Sequence, residues 1–421
     1  SMREHQRYFP VKSADGQLLP HFVTIRNGDE ISIHNVAKGN EKVLRARLAD
    51  ARFFYYEDQK RPLSFFNDKL KHVVFHEQLG TIADKVQRIR SIASTLANEL
   101  GYEEQTRTMI DRTASLCKFD LETLMVDEFP ELQGRMGERY ARIAWETPQV
   151  ADGIFEHYLP RAAGDRLPTS ETGLIVGLAD KVDTVVACFG IGIMPTGSTD
   201  PYALRRQAAG IVQVVLGCHV PLSLDRLLSI ALDELEQSGK LMRDRSDVQK
   251  DLELFFGQRL KYILQNKDVR YDVIDAVLQS GLSHLQLTVA KAELLMEKLS
   301  QSSFKQTIEA FNRVENLAVK AVEPIEFDET LNQEQAEKHL TATYYQALKQ
   351  FNEAERNKDA VKMFEALAAM EEAIHSYFSD VMVMVDDVAL RNNRLALLKE
   401  ISFMIRRFAH FNNIQQKSST S

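Results

Sequence analysis

Three side chains in the first half of the chain have the chemistry of metal ligands and are far apart in the sequence. They are His76, Asp120 and Asp180. An imidazole and two carboxylates on separate helices could hold a divalent cation, and a cation-bound water could act as the nucleophile in a hydrolysis. We expect His76 to begin a helix. Lys118 lies close to Asp120 in the sequence, and its ammonium group would repel such a cation, so we predict that this set binds no metal.

Motifs for nucleotide binding and nucleophilic catalysis are absent from the sequence. It contains no G-x-x-x-x-G-K-[ST], no G-x-G-x-x-G after a strand and no G-x-S-x-G. Residues 134–139 have some likeness to the glycine-rich, arginine-terminated ATP motif of class II synthetases. That motif follows a strand, and residues 129–133 do not have a strand pattern. We therefore interpret the glycines as structural and predict no catalytic residue in this chain.

The charge of the chain is negative as a whole but basic near its end. The formal net charge is −8, which disfavours non-specific attraction to nucleic acid. Residues 388–421 contain six Lys or Arg and one acid, Glu400, whereas residues 323–357 contain eight acids and three bases. A specific nucleic-acid binder needs only a local basic patch, so the end of the chain is a candidate interface.

The cysteines indicate a protein of a reducing compartment, and the hydropathy pattern indicates one without a membrane span. Cys117, Cys188 and Cys218 are too widely spaced for a zinc finger or a disulfide framework. The longest apolar run is much shorter than a membrane span. We expect a cytoplasmic protein with no membrane partner.

The periodicity predicts a mainly α, multi-domain protein that begins with a short mixed α/β segment. A strand is expected at residues 21–25, and the pattern becomes helical from Asn40. The clearest amphipathic helix spans residues 81–100, with one face formed by Ile82, Val86, Ile89, Ala93, Leu96 and Leu100.

The last hundred residues are predicted to form three helices. Their apolar faces fall within residues 340–351, 361–378 and 395–408, and Asp386 or Asp387 is the expected N-cap of the third helix. A hinge is expected near Pro324, and a disordered tail from Gln415 onward.

The order of His76, Asp120 and Asp180 resembles the HD hydrolase superfamily. Its metal is held by a His, a His-Asp pair and a later Asp on separate helices. The pair is missing here, because residues 116–120 read Leu-Cys-Lys-Phe-Asp. The resemblance implies an HD-like helical domain with a degenerate site at His76, Lys118, Asp120 and Asp180. A metal-dependent nucleotide phosphohydrolase is the alternative function, and a purely structural helical scaffold is a third.

Several segments in the same order carry a second resemblance, which covers nearly the whole chain and is weakest over residues 244–341. They resemble the β-subunit of bacterial heterotetrameric glycyl-tRNA synthetase. Its most specific part is Asp-Pro-Tyr-Ala-Leu-Arg-Arg at residues 200–206, together with residues 190–198. The other segments are residues 4–10, 18–22, 39–54, 128–134 and 159–161.

A third resemblance lies in the basic region near the end of the chain. Residues 381–387 and 390–395 are similar to the helical anticodon-binding domain shared with arginyl-tRNA synthetases. We predict that Arg394, Arg406 and Arg407 contact tRNA phosphates, since no acid lies near them in the sequence. Two alternative roles remain open for Arg391: it reads a base, or it bridges two helices.

Five further arginines are candidates for tRNA contact only through the family resemblance. A structural salt bridge is the ordinary role for any one of them. Asp200 is expected to cap a helix with Pro201 in its first turn, just before the last two. The five are Arg45, Arg47, Arg52, Arg205 and Arg206.

The glycyl-tRNA synthetase resemblance implies an α2β2 complex. A separate α-subunit uses ATP, Mg²⁺ and glycine, while the β-subunit holds tRNA-Gly. This chain alone would then be inactive and bind no cofactor. The implied domains are the end of an N-terminal tRNA-binding module (1–62), an HD-like helical domain (63–235), a helical linker (236–325) and the anticodon-binding bundle (326–421). Family members extend well before Ser1, so we expect preceding sequence.

Overall fold

The computed structural model describes residues 7–301, 303–321 and 326–415. The predicted hinge at Pro324 and the predicted tail after Gln415 lie outside the described residues. The chain divides into two compact units, Ser1–Val214 with Ile230–Asp244, and Val215–Ser229 with Arg245–Ser421. The four-domain division given above stays a prediction.

The fold is mainly α, as predicted, and the described residues form only two small sheets. The first is an antiparallel hairpin of β1 (Tyr8–Lys12) and β2 (Leu18–Thr24), which confirms the mixed segment and the strand near residues 21–25. The second is a hairpin of β3 (Val74–His76) and β4 (Gly80–Thr81).

The first unit consists mainly of helices packed around an apolar core. Its helices are α1 (Ile33–Asp58), α2 (Leu63–Lys69), α3 (Ile82–Glu99), α4 (Glu104–Leu116), α5 (Leu124–Glu128), α6 (Arg135–Ile143), α7 (Pro148–Glu156) and α8 (Glu171–Gly190). Two more helices, α9 (Leu204–Gly217) and α10 (Leu224–Gln237), are divided between the units.

Helix α3 forms where the periodicity predicts it. Thr81 is its N-cap and accepts a hydrogen bond from the amide of Asp84, whose carboxylate accepts one from the amide of Thr81. This capping box satisfies two amides that the first turn leaves unpaired. The predicted apolar face is buried at Val86, Ile89, Ala93 and Leu96. Lys85 and Arg88, in the same helix, are also buried.

Helix α8 lies inside the first unit, with nearly all of its residues buried. Ser170 caps it through a hydrogen bond from the amide of Gly173. A buried helix tolerates charged side chains only if partners compensate them, because a bare charge in an apolar interior is costly. Asp180, Lys181 and Asp183 are such charges, and they determine where the site lies.

The second unit is helical throughout its described secondary structure. Its helices are α11 (Arg245–Gln265), α12 (Tyr271–Leu278), α13 (Leu285–Lys298), α14 (Phe304–Ala318), α15 (Gln335–Arg356), α16 (Ala360–Ala368), α17 (Glu371–Asp380) and α18 (Val388–Phe408).

The expectation of three helices in the last hundred residues is wrong, because the stretch predicted as the second helix forms two. Helices α16 and α17 are separated at Ala369 and Met370. The break contains neither proline nor glycine, so the sequence has no local signal for it. Met370 is fully buried at the break, so the break lies in the packed interior of the second unit.

Helix α18 begins as predicted. The side chain of Asp387 is the N-cap and accepts a hydrogen bond from the amide of Leu390 at 3.1 Å. Within the described ranges, every helix is either too short or too polar to cross a lipid bilayer.

Candidate functional site

Lys118, His157 and Asp180 meet in the interior of the first unit. The Nζ atom of Lys118 lies 2.6 Å from Oδ2 of Asp180 and 2.9 Å from Nε2 of His157. Gly177 permits this approach, because a Cβ atom there would lie 2.9 Å from the backbone oxygen of His157. The glycine therefore lets α8 lie directly against the end of α7.

The hydrogen bonds determine the protonation of this cluster. Nδ1 of His157 lies 2.7 Å from the carbonyl oxygen of Ile154, so Nδ1 is the donor and Nε2 accepts from the ammonium group of Lys118. Burial, assisted by the charge of Lys118, lowers the pKa of His157 well below its ordinary value, which keeps the ring neutral. Burial alone would raise the pKa of Asp180, but the ammonium groups of Lys118 and Lys85 hold it well below its ordinary value.

A second set of ion pairs continues the cluster between α3 and α8. Nζ of Lys85 lies 3.0 Å from Oδ1 of Asp180 and 2.9 Å from Oδ2 of Asp183. Nε of Arg88 lies 2.6 Å from Oδ1 of Asp183. These side chains are almost fully buried, and each of the two carboxylates is paired with two cations.

The cluster does not fit a divalent metal. The ammonium group of Lys118 occupies the position between the imidazole and the carboxylate that a metal ion would need. The described residues contain no group of three His, Cys, Asp or Glu side chains arranged as metal ligands. The geometry gives no support to the alternative of a metal-dependent phosphohydrolase.

The expectation that His76 begins a helix is wrong. It is the last residue of β3, and Nδ1 accepts a hydrogen bond from the amide of Gln78 at 3.1 Å. The following helix begins at Ile82, after the β3–β4 turn. The hairpin is the reason, because it inserts a turn and a short strand where the sequence suggested a helix start.

Asp120 binds backbone amides rather than the ammonium group that Asp180 binds. Its Oδ2 accepts hydrogen bonds from the amides of Gly134 at 2.6 Å and Gly137 at 3.1 Å, at the start of α6. Gly134 has φ +80°, and a Cβ atom on Gly137 would lie 2.8 Å from Ile154 and 3.0 Å from Asp120. The structure therefore supports the structural interpretation of both glycines, and the residues before them form a 3₁₀ turn, Pro130–Leu132, rather than a strand. Burial raises the pKa of Asp120 to about 6.

The structure thus brings together two of the four residues of the degenerate site, Lys118 and Asp180. Sequence reasoning missed His157, Lys85 and Lys181. A signal was present, because α8 is apolar except for a few charges, and a buried helix requires a partner for each. The partners themselves lie on other helices, where no spacing rule identifies them.

Arg394 is buried and bridges helices in the second unit. Its Nε lies 2.6 Å from Oε1 of Glu337 in α15, and its Nη1 donates to the carbonyl oxygen of Met382 at 2.8 Å. Glu337 also closes the N-terminus of α15 by accepting from the amides of Gln333 and Glu334. Arg394 therefore has an acidic partner that is close in the folded structure although distant in the sequence. Because Arg394 is buried, it is poorly placed to reach a phosphate.

Arg391 lies one turn earlier on the same helix and is half-buried. Its Nη1 donates to the carbonyl oxygen of Val385 at 3.1 Å, within the loop before α18. This bond fits a bridging role, and the base-reading role stays a prediction.

Arg406 and Arg407 also have acidic partners that are distant in the sequence. Nε of Arg406 lies 2.9 Å from Oε1 of Glu315, and the Arg406 side chain remains 41% exposed. Arg407 pairs with Glu355 and donates to Oδ1 of Asn352 at 2.8 Å. Helix packing brings these acids from α14 and α15, so both arginines have acidic partners although no acid lies near them in the sequence. Their contact with tRNA phosphates stays a prediction.

Arg407 lies in a basic recess of about 360 Å³ that the sequence did not indicate. Its wall includes Lys291, Arg356 and Lys358, with Glu355 as its acid. Arg356 and Lys358 are exposed, and no ion pair involves either of them among the described residues. This recess, defined by Lys291, Arg356, Lys358 and Arg407, is the basic recess of the second unit.

The arginines of α1 are on two different faces. Arg47 pairs with Glu128, as the ordinary salt-bridge role predicts. Arg45 and Arg52 line an exposed face that also carries Phe53, 60% exposed, and Tyr56, 56% exposed. Exposed aromatic rings beside arginines are typical of surfaces that bind single-stranded nucleic acid.

Arg205 and Arg206 are the second and third residues of α9. The carboxylate of Asp200 accepts from the amides of Leu204 at 2.7 Å and Arg205 at 3.0 Å. Asp200 therefore caps the helix, as expected. The expectation for Pro201 is wrong, because the helix begins at Leu204 and Pro201 lies before its first turn. Arg206 lines a cavity that Arg205 does not.

The helices near the C-terminus identify the class of protein to which the chain belongs. Residues 307–411, which comprise most of α14 and all of α15–α18, match the DALR anticodon binding domain. This confirms the anticodon-binding likeness of the basic C-terminal region.

Residues 1–279 match the glycyl-tRNA synthetase beta subunit family, and the chain belongs to that family. A glycine–tRNA ligase beta subunit of Halalkalibacterium halodurans is 50% identical over 98% of this chain and 60% of its own length. Proteins of the same name from Shouchella clausii and Bacillus subtilis are 49% and 45% identical, over 98% of this chain and 60% and 59% of their lengths. The chain spans about 60% of the length of these curated relatives.

Proposed function

We propose that this chain is the tRNA-binding part of a glycyl-tRNA synthetase β-subunit. The observation that carries the proposal is the anticodon-binding domain match over residues 307–411, within a chain of this family. The basic recess of the second unit borders that domain's helices α15 and α18.

The basic recess contains both buried and exposed cations. Lys291 is buried and donates to the carbonyl oxygen of Arg407 at 2.7 Å, so it holds the end of α18. Burial lowers the pKa of Lys291 to about 8. Arg356 and Lys358 are exposed and unpaired among the described residues, so they can contact phosphates directly. Such contacts release counterions, which makes the affinity fall with salt.

The exposed face of α1 is the second proposed contact. Arg45 and Arg52 would bind phosphates, and Phe53 and Tyr56 would stack on unpaired bases. Arg47 has no part in this contact, because its guanidinium group pairs with Glu128.

The enzymatic activity proposed for the whole protein is glycine–tRNA ligation within an α2β2 complex. In this proposal a separate α-subunit binds glycine, ATP and Mg²⁺, while this chain binds tRNA-Gly and no cofactor. The complex acts in the cytoplasm, which suits the three free cysteines.

Two measurements test the proposal. The chain should bind tRNA-Gly with an affinity that decreases steeply between about 50 and 200 mM salt. It should show no glycine-dependent pyrophosphate exchange by itself. Exchange by the chain alone would contradict the division of labour, and an absence of tRNA binding at low salt would contradict the proposed function.

A further inference from the structure

A cavity of about 430 Å³ opens beside the Lys118–Asp180 pair in the first unit. Its wall contains five basic side chains and two acidic ones. The basic ones are Lys85, Lys118, Arg161, Lys181 and Arg206, and the acidic ones are Glu131 and Asp180. The lining therefore has a large excess of positive charge for a cavity in a chain that is acidic as a whole.

The excess charge comes from three of the five cations. Lys85 and Lys118 are paired with Asp180. Among the described residues, no carboxylate lies within ion-pair distance of Lys181, Arg161 or Arg206. The Nη2 atom of Arg161 donates to the carbonyl oxygen of Gln133 at 2.7 Å, which fixes that guanidinium group at the rim.

Lys181 is the strongest indication that an anion belongs in the cavity. Its side chain is 4% exposed, and its Nζ donates to the carbonyl oxygen of His157 at 2.8 Å. A buried ammonium group that no carboxylate binds directly is unfavourable. Burial lowers the pKa of Lys181 to about 8, although the charge of Asp180, which Lys85 and Lys118 bind, acts in the opposite direction. An anion bound next to it would supply the missing charge.

The rest of the lining selects the kind of anion. Guanidinium and ammonium groups from separate helices and loops can donate to several oxygens at once, which suits a phosphate group. Phe75, Tyr158 and Tyr202 add aromatic walls, on which a base or a ribose can pack. The volume lies within the range of small-molecule sites.

We propose that this cavity is a metal-independent binding site for a nucleotide phosphate, carried either by a free nucleotide or by an RNA strand. Lys181, Arg161 and Arg206 contact the phosphate, and Lys118 takes the position in which a phosphohydrolase would hold a metal. The proposal goes beyond tRNA binding by the second unit and does not depend on it.

The test uses adenosine 5′-monophosphate and inorganic phosphate as probes, titrated calorimetrically into the chain in the presence of EDTA. Arg206→Gln should weaken binding of the nucleotide by at least about tenfold, because an exposed arginine at the rim is lost without disturbing the core. Lys71→Gln is the control, since Lys71 is an exposed cation of the same unit outside the cavity, and it should bind as the parent does.

A second arm separates the two sources of the phosphate. A short single-stranded RNA is titrated into the same three proteins. If only the RNA binds, and Arg206→Gln weakens it while Lys71→Gln does not, the phosphate belongs to an RNA strand. If the mononucleotide binds with the same selectivity, a free nucleotide is the ligand.

A variant inside the cavity provides an independent check. Lys181→Met should abolish binding of the mononucleotide or of inorganic phosphate. It should weaken binding of the RNA, which the exposed face of α1 can also hold. A thermal melt establishes that the variant is folded. If no probe binds the parent, or if Arg206→Gln and a folded Lys181→Met bind every probe as the parent does, the proposal is wrong. Binding of tRNA through the basic recess would be unaffected by that outcome, because the recess belongs to the other unit.

Discussion

The ammonium group of Lys118 lies 2.6 Å from the carboxylate of Asp180 in the interior of the first unit. Removing one partner of a buried ion pair leaves the other charge uncompensated. We predict that Lys118→Met lowers the free energy of unfolding by about 3 kcal/mol, measured by chemical denaturation. Lys71→Met is the control, because Lys71 pairs with Asp68 at the surface and should cost less than about 1 kcal/mol. Equal effects of the two variants would contradict the structural role of Lys118.

The same pair leads to a prediction about metals. Protein purified without chelator should contain well below one divalent ion per chain, and added Mn²⁺ or Zn²⁺ should not raise its melting temperature. The reason is that Lys118 already supplies the cation between His157 and Asp180. One bound ion per chain that is lost in Asp180→Asn would refute it.

Asp120 makes stability depend on pH. Its folded-state pKa is raised to about 6, so the folded protein holds a proton that the unfolded chain releases near pH 4. The stabilisation that this proton supplies is complete below the pKa of Asp120 in the unfolded chain. It is lost as pH rises through the folded-state pKa of about 6. We expect Asp120→Asn to gain about 2–3 kcal/mol relative to the parent between pH 4 and pH 7. Denaturation curves at several pH values measure this, and a constant difference across the range would contradict it.

Arg394 and Arg406 should respond differently to substitution. Both side chains of the Arg394–Glu337 pair are at most 5% exposed, whereas Arg406 is 41% exposed. Arg394→Ala should therefore lower the free energy of unfolding by about 3–5 kcal/mol, and Arg406→Ala by clearly less. A stable Arg394→Ala protein with weakened tRNA binding would instead show that Arg394 contacts tRNA.

The elements that local pattern determines were predictable from the sequence. The 82–99 helix has a regular apolar face and a capping box, and Asp387 marks the start of α18. The family likeness was also readable, because it rests on contiguous segments.

The parts that depend on distant residues were not predictable. Glu337, Glu315 and Glu355 bind arginines that are 57, 91 and 52 residues away, so the sequence around each arginine gave no sign of its acidic partner. His157 and Lys85 meet Asp180 only through helix packing. The basic recess likewise combines residues of α13, the end of α15 and α18.

The basic recess of the second unit is the proposed tRNA contact that mutation can test most directly. Three variants test it: Arg356→Ala, Arg407→Gln and Lys358→Asn, the last chosen because Lys358 has φ +56°, which asparagine tolerates. Lys349→Ala is the control, since Lys349 is an exposed lysine on the same helix as Arg356 but outside the recess.

The affinity of each variant for tRNA-Gly is measured across a series of salt concentrations, after thermal melting has established that it is folded. For each lost phosphate contact, the slope of log affinity against log salt should become shallower by about 0.7–0.9, and the Lys349→Ala slope should equal that of the parent. Folded recess variants with the parent's affinity and slope at every salt concentration would contradict the account.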